Sequence, residues 1–159
     1  MSKINKSRFP QLFLILTFVG TLLLIILDQW VKQVVRTQIK PGESINLIPH
    51  VLSITNITNS GAAWSFLAGN SWIFSVIAGI ASLLFIWLMA KNQRQHWIVI
   101  ALGLMLAGTI GNLLDRIFFG AVTDMIQLDF IQFPIFNLAD CYLTLGVGLI
   151  LIRLVLQED

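Results

Sequence analysis

The sequence predicts an all-α integral membrane protein with four transmembrane helices, and three observations carry that prediction. Of 159 residues, 57% are hydrophobic and only 11% are charged, which leaves too little polar surface for a soluble domain of this size. Four apolar stretches reach the length of about 20 residues that a helix needs to cross a bilayer. They are Leu12 to about Val35, Trp72 to Ala90, Trp97 to Leu114, and Leu138 to Leu156. None alternates as a barrel strand does, and unpaired backbone N–H and C=O groups are too costly in lipid, so helix is the spanning form that remains. The length suits one compact unit over residues 1–159, without a separate soluble domain.

The first helix follows Lys3, Lys6 and Arg8, and Asp28-Gln29-Trp30-Val31-Lys32 continues its pattern with no small-x-small cleavage site behind it. It is therefore expected to stay attached and not to be removed as a leader. Lys91 and Arg94 crowd the short turn between the second and third helices. By the positive-inside rule that turn and both termini face the cytoplasm, although Lys32, Arg36 and Lys40 beyond the first helix reduce the bias. Two loops then face outward, from about Arg36 to Ser71 and from Asp115 to Pro134. In the first, a Pro41-Gly42 turn precedes Ile45, Leu47, Val51, Leu52, Ile54 and Ile57 spaced among polar residues, which reads as a hairpin or small sheet at the membrane surface. After the Asn59-Ser60-Gly61 turn, Ala62 to Leu67 suits a short interfacial helix. In the second loop, Phe130, Ile131, Phe133 and Phe136 surround Pro134 and suit a segment dipping into lipid. Gly103, Gly108, Gly111, Gly146 and Gly148 are expected to let helices approach closely.

Several kinds of chemistry lack support. A net charge of +2 with no basic, aromatic-studded patch argues against nucleic-acid binding. One cysteine, Cys141, excludes an internal disulfide, and His50 and His96 stand alone without metal-ligand spacing, so no metal or cofactor is expected. Cys141 has no histidine partner and reads as a small packed residue.

The informative residues are acids at the ends of spanning segments. An ionised side chain costs roughly 2.5–3.5 kcal/mol at mid-helix on insertion scales, so each needs a partner or a task. Asp28 and Lys32 lie i to i+4 on one face, either as an intrahelical ion pair or as a pair that also orients a site. Asn112, Asp115 and Arg116 form a polar stripe where the third helix leaves the membrane. Asp115 is expected to pair with Arg116 as the helix ends, while Arg116 also suits an anionic headgroup or a substrate carbonyl. Asn137 and Asp140 have capping-box spacing at the start of the fourth helix. Capping leaves Asp124 unexplained, because it follows Gly120 in a loop without a cap or a basic neighbour. If the loop folds back to bring Asp124 to Asp140 in a poorly hydrated pocket, one acid keeps its proton. Such a pair activates water against a peptide carbonyl and protonates the leaving nitrogen. The rival reading is a small ion-coupled carrier, whose carboxylates would lie near mid-bilayer on broken helices.

Asp28-Gln29 with Lys32, Asn59-Ser60-Gly61-Ala62-Ala63-Trp64-Ser65, Ala107 to Arg116, Val122-Thr123-Asp124 and Phe136-Asn137-Leu138-Ala139-Asp140 together resemble the motifs of the bacterial lipoprotein signal peptidases, the type II signal peptidases, in order along nearly the whole chain. The resemblance implies that Asp124 and Asp140 are the catalytic aspartates of an inner-membrane endopeptidase. It implies as substrate a prolipoprotein cut just before its diacylglyceryl-modified cysteine. By the same resemblance Asn59, Gly61, Asn112, Asp115, Arg116 and Asn137 line or support the pocket, and Asp28 and Lys32 are the first-helix polar pair. An extracytoplasmic β-cradle, a short helix over the site, contact with membrane lipids and inhibition by globomycin-type cyclic peptides are also implied. Val31, Trp64, Ala107, Thr109 and Met125 depart from the usual pattern.

Overall fold

The computed structural model describes residues 5–61 and 71–156. The interfacial helix expected over 62–67, and Trp64 with it, lies outside the described residues. The elements run α1 (Asn5–Gln38), β1 (Ser44–Ile48), β2 (Leu52–Asn59), α2 (Ser71–Lys91), α3 (His96–Phe119), β3 (Val122–Leu128) and α4 (Leu138–Val155). All four helices are long and apolar enough to cross a membrane.

The central helix is α3, which packs against α1, α2 and α4 and buries more of its spanning stretch than any other helix. The others turn apolar side chains outward, among them Leu23, Ile80, Leu83 and Leu151, as lipid-facing helices must. Close approach to α3 depends on missing side chains. A Cβ on Gly146 would lie 2.6 Å from the Ala101 carbonyl oxygen, and one on Gly108 would collide with Ala139. Gly148 departs from expectation: a Cβ there meets nothing, because it lies off the packed face.

Three helices or connections run differently from the sequence reading. At 34 residues, α1 measures about 51 Å, well over the roughly 30 Å of a bilayer core. At its C-terminal end Val35 and, just past the helix, Ile39 pack on Met125 of β3. Likewise α3 runs on through Asp115 and Arg116 to Phe119, so these two residues sit inside a helix and not in a loop. It stops at Gly120, whose φ of 75° puts it in the left-handed conformation with its N–H on the Arg116 carbonyl.

The largest difference is β3. In the second outer loop, where no strand was expected, Val122–Leu128 form the third strand of an antiparallel sheet in the order β1-β2-β3. Ile57 pairs with Asp124 and Thr58 with Thr123, after a bulge between Ile54 and Ile57. Val122 to Met125 are all buried. With both faces of this stretch covered, the strand lacks the apolar–polar alternation that would have revealed it. The chain then returns, and Phe136 pairs with Ile126 before α4 starts.

Candidate active site

The described residues enclose a cleft of about 1420 Å³ between α2, α3, α4 and the sheet. Asp124 and Asp140 both line it, with Asn59, Gly61, Asn112, Arg116 and Asn137. Asp124 arrives on β3 and Asp140 in the first turn of α4. Asn137 joins them. Its side-chain amide donates to Asp124 Oδ1 at 2.7 Å, and its backbone N–H donates to Asp140 Oδ2 at 3.1 Å. The reciprocal bond, Asp140 N–H to Asn137 Oδ1, completes the expected capping box. Capping and a link between the acids are thus properties of one asparagine.

Each acid has a second amide. Asn59 donates to Asp124 Oδ2 at 2.9 Å while its own oxygen accepts from Gly61 N–H. Asn112 donates to Asp140 Oδ1 at 2.8 Å. Asp124 is only 4% exposed, and its carboxyl is pushed up to about 6. Burial is the main cause; the hydrogen bond from Asn59 lowers it, the Asp140 charge raises it, and the bond from Asn137 lowers it. Asp124 is consequently poised to exchange a proton near neutral pH. Asp140 sits in the first turn of α4, where its carboxylate accepts from the Asn137 N–H and the Asn112 amide.

Behind the cleft lies a fully buried ionic cluster. Lys32 Nζ is 2.9 Å from Asp28 and 3.6 Å from Asp115, all three with no side-chain exposure. Its third contact is Asn112 Oδ1 at 2.9 Å, which turns the Asn112 amino group toward Asp140. Asp28 reaches α4 by accepting the Ala139 N–H at 3.0 Å, one of the amides a helix start leaves unpaired. The pair is therefore not confined to its own helix. Gly111 makes room for it, since a Cβ there would lie 2.7 Å from Asp28 Oδ2.

The expected Asp115–Arg116 pair does not form. Asp115 turns to α1, meeting Lys32 and Arg36, and accepts the Thr123 N–H at 2.8 Å. Adjacent residues on a helix point about 100° apart, so Arg116 faces the cleft instead. It donates to the Asn112 and Gly61 carbonyls at 3.3 and 3.5 Å, and its buried Nε has no partner among the described residues. The Phe74 ring lies 5.3 Å from the guanidinium. Cys141, expected to be packed away, is partly exposed on the cleft wall beside Asp140.

Two contributors were not named as site residues from sequence, although Gln29 stands in the first-helix motif. Arg36 was read only as a flanking charge, yet it donates to the Thr123 hydroxyl at 2.9 Å. Gln29 donates to Asp28, the Gly111 carbonyl and Asp115. The available signal was spacing: Asp28, Lys32 and Arg36 fall four apart on one face of α1.

Comparison with known proteins agrees with this architecture. A family model described as Signal peptidase (SPase) II matches residues 20–156. A lipoprotein signal peptidase of Enterococcus faecalis is 45% identical over 146 residues, 91% of each chain. That of Lactiplantibacillus plantarum is 45% identical over 136 residues, covering 86% of this chain and 91% of the relative. Two solved bacterial membrane enzyme structures superpose with TM-scores of 0.86 and 0.80. The first is 36% identical and covers 90% of this chain and 89% of the other; the second is 37% identical and covers 87% and 91%. Fold and family define a multi-pass, aspartic-type peptidase of the bacterial inner membrane. The chain belongs to the signal peptidase II family.

Proposed function

We propose that the whole chain acts as one endopeptidase unit that removes the signal peptide from diacylglyceryl-modified prolipoproteins, cutting just before the lipidated cysteine. The observation that carries this reading is the Asn137 link between Asp124 and Asp140 at one wall of a mainly apolar cleft. The substrate enters sideways from lipid, its acyl chains lying among apolar helix faces. Asp140, charged at the start of α4, takes a proton from water, and the water oxygen attacks the scissile carbonyl carbon. Asp124, protonated in the productive complex, gives its proton to the leaving nitrogen as the C–N bond breaks. Arg116 offers its unpaired guanidinium N–H to a substrate carbonyl. Asn59, Asn112 and Asn137 hold the acids, Gly61 anchors the Asn59 turn, and Asp28, Lys32 and Asp115 hold Asn112 and β3 from behind. With Lys91 and Arg94 on the cytoplasmic side, both termini are cytoplasmic and the cleft opens at the outer face. Globomycin-type cyclic peptides would compete for it.

A carboxylate-dependent carrier fits less well. Asp124 lies on a strand and Asp140 in the first turn of α4, not on broken helices at mid-bilayer. The test is incubation of the purified protein with a diacylglyceryl-modified precursor, beside folded Asp124→Asn and Asp140→Asn variants. Product release by the parent protein and by neither variant is expected; cleavage persisting in either one removes the dyad.

A further inference from the structure

Below the acids the cleft wall is apolar except for two hydroxyls. Thr144 follows Asp140 by four residues on α4, and Thr109 precedes Asn112 by three on α3; both line the cleft. These spacings put each hydroxyl about one helical turn, roughly 5 Å, deeper into the membrane than the acid or amide above it.

Hydroxyls on spanning helices ordinarily bond to a carbonyl one turn back, because lipid provides no other partner. Thr17, Ser75 and Ser82 do so, on Phe13, Ser71 and Ala78 at 2.8–3.1 Å, and Thr21 reaches the Gly103 carbonyl across to α3. No hydrogen bond of the Thr109 or Thr144 hydroxyl is found among the described residues; Thr109 is only 9% exposed, whereas Thr144 is exposed on the cleft wall. For Thr109, a buried hydroxyl without a partner is costly until a ligand supplies one, and Thr144 lies open on the wall of the same cleft.

We infer that Thr109 and Thr144 form a subsite for the ester carbonyls of the diacylglyceryl group, each hydroxyl donating to a carbonyl oxygen. The inference rests on the prolipoprotein reading above. Three features of the ligand match. Ester oxygens accept but do not donate, which suits hydroxyls with a free proton. The esters are joined through glycerol and sulfur to the cysteine whose nitrogen leaves, so the nearer carbonyl lies about seven flexible bonds from that nitrogen, enough to reach one helical turn (roughly 5 Å) beyond the acids. The acyl chains beyond them would meet Ala78, Ala81 and Leu145, also on the cleft wall.

The test pairs side-chain and substrate chemistry. Wild-type protein and a Thr109→Val/Thr144→Val variant, which keeps the shape of the wall, are given two precursors that differ only in the lipid, one with diacyl esters and one with dialkyl ethers lacking both carbonyls. Wild type is expected to process the ester with a kcat/KM roughly tenfold above the ether, mainly through KM. The Val variant should treat the two alike, and Thr→Ser at both positions should restore the preference. Equal loss on both substrates, or an unchanged ester preference in the Val variant, overturns the subsite. Failure of wild type to cleave either precursor overturns the prolipoprotein reading instead.

Discussion

Arg36 of α1 donates a hydrogen bond to the Thr123 hydroxyl at 2.9 Å, and Thr123 immediately precedes Asp124. The same guanidinium lies 3.4 Å from Asp115 and stacks over Phe119 with its centre 4.2 Å from the ring. Asp115 in turn accepts the Thr123 N–H. Strand, helix end and α1 are thus clamped one residue away from the buried acid. Arg36 does not line the cleft, so its effect on catalysis passes through the position of Asp124. Arg36→Ala is expected to lower kcat about ten- to a hundredfold with KM little changed. Arg36→Lys, which keeps the charge but loses the planar fork, should recover only part. A steady-state kcat and KM comparison of the three proteins checks this.

Asp124 gives two pH signatures. Its carboxyl titrates near 6 in the folded protein against 3.8 unperturbed, so between these values the folded state binds more protons than the unfolded chain. Stability from this group is therefore greatest at low pH and falls as pH rises through the window, by about 3 kcal/mol once both states are ionised. Thermal unfolding in detergent should show this decline in the parent protein and lack it in Asp124→Asn. For catalysis, Asn59→Ala removes a hydrogen bond that holds the carboxyl down. The inflection in the pH–rate profile should move to higher pH, and one that moves to lower pH contradicts the assignment.

Lys32 is the common cation of Asp28 and Asp115, and none of the three side chains reaches solvent. Lys32→Met keeps much of the volume and removes the charge, leaving buried carboxylates short of a counter-ion. The expected loss is about 3–5 kcal/mol of stability. Adding Asp28→Asn should return part of it, which separates charge imbalance from lost packing. Chemical unfolding of the single and double variants measures both, and additive losses in the double variant speak against the charge account.

The four helices were legible because lipid demands long apolar runs, a signal carried by each segment alone. Asp124 and Asp140 stood out for the converse reason, as polar groups where apolar ones are cheaper. What escaped depends on partners far along the chain. Asp115 looked like the natural mate of Arg116 next to it, yet meets Lys32 and Arg36 on another helix. The β3 strand is short, and burial on both faces erased its alternation. Local spacing did identify the Asn137–Asp140 capping box. The second use of Asn137, as a donor to Asp124, needed the sheet to bring β3 back.

The two acids hang from different posts. Asp124 rides on a sheet propped against the tall end of α1 through Val35, Ile39 and Met125, whereas Asp140 opens α4, a helix of 18 residues that has little length to spare. Asn137 bridges the two, bonding Asp124 through its side chain and Asp140 through its backbone. Both posts are nevertheless tied to the same helix, since Asp28 of α1 holds the first turn of α4 through the Ala139 N–H, so a change in α1 is carried to both acids together.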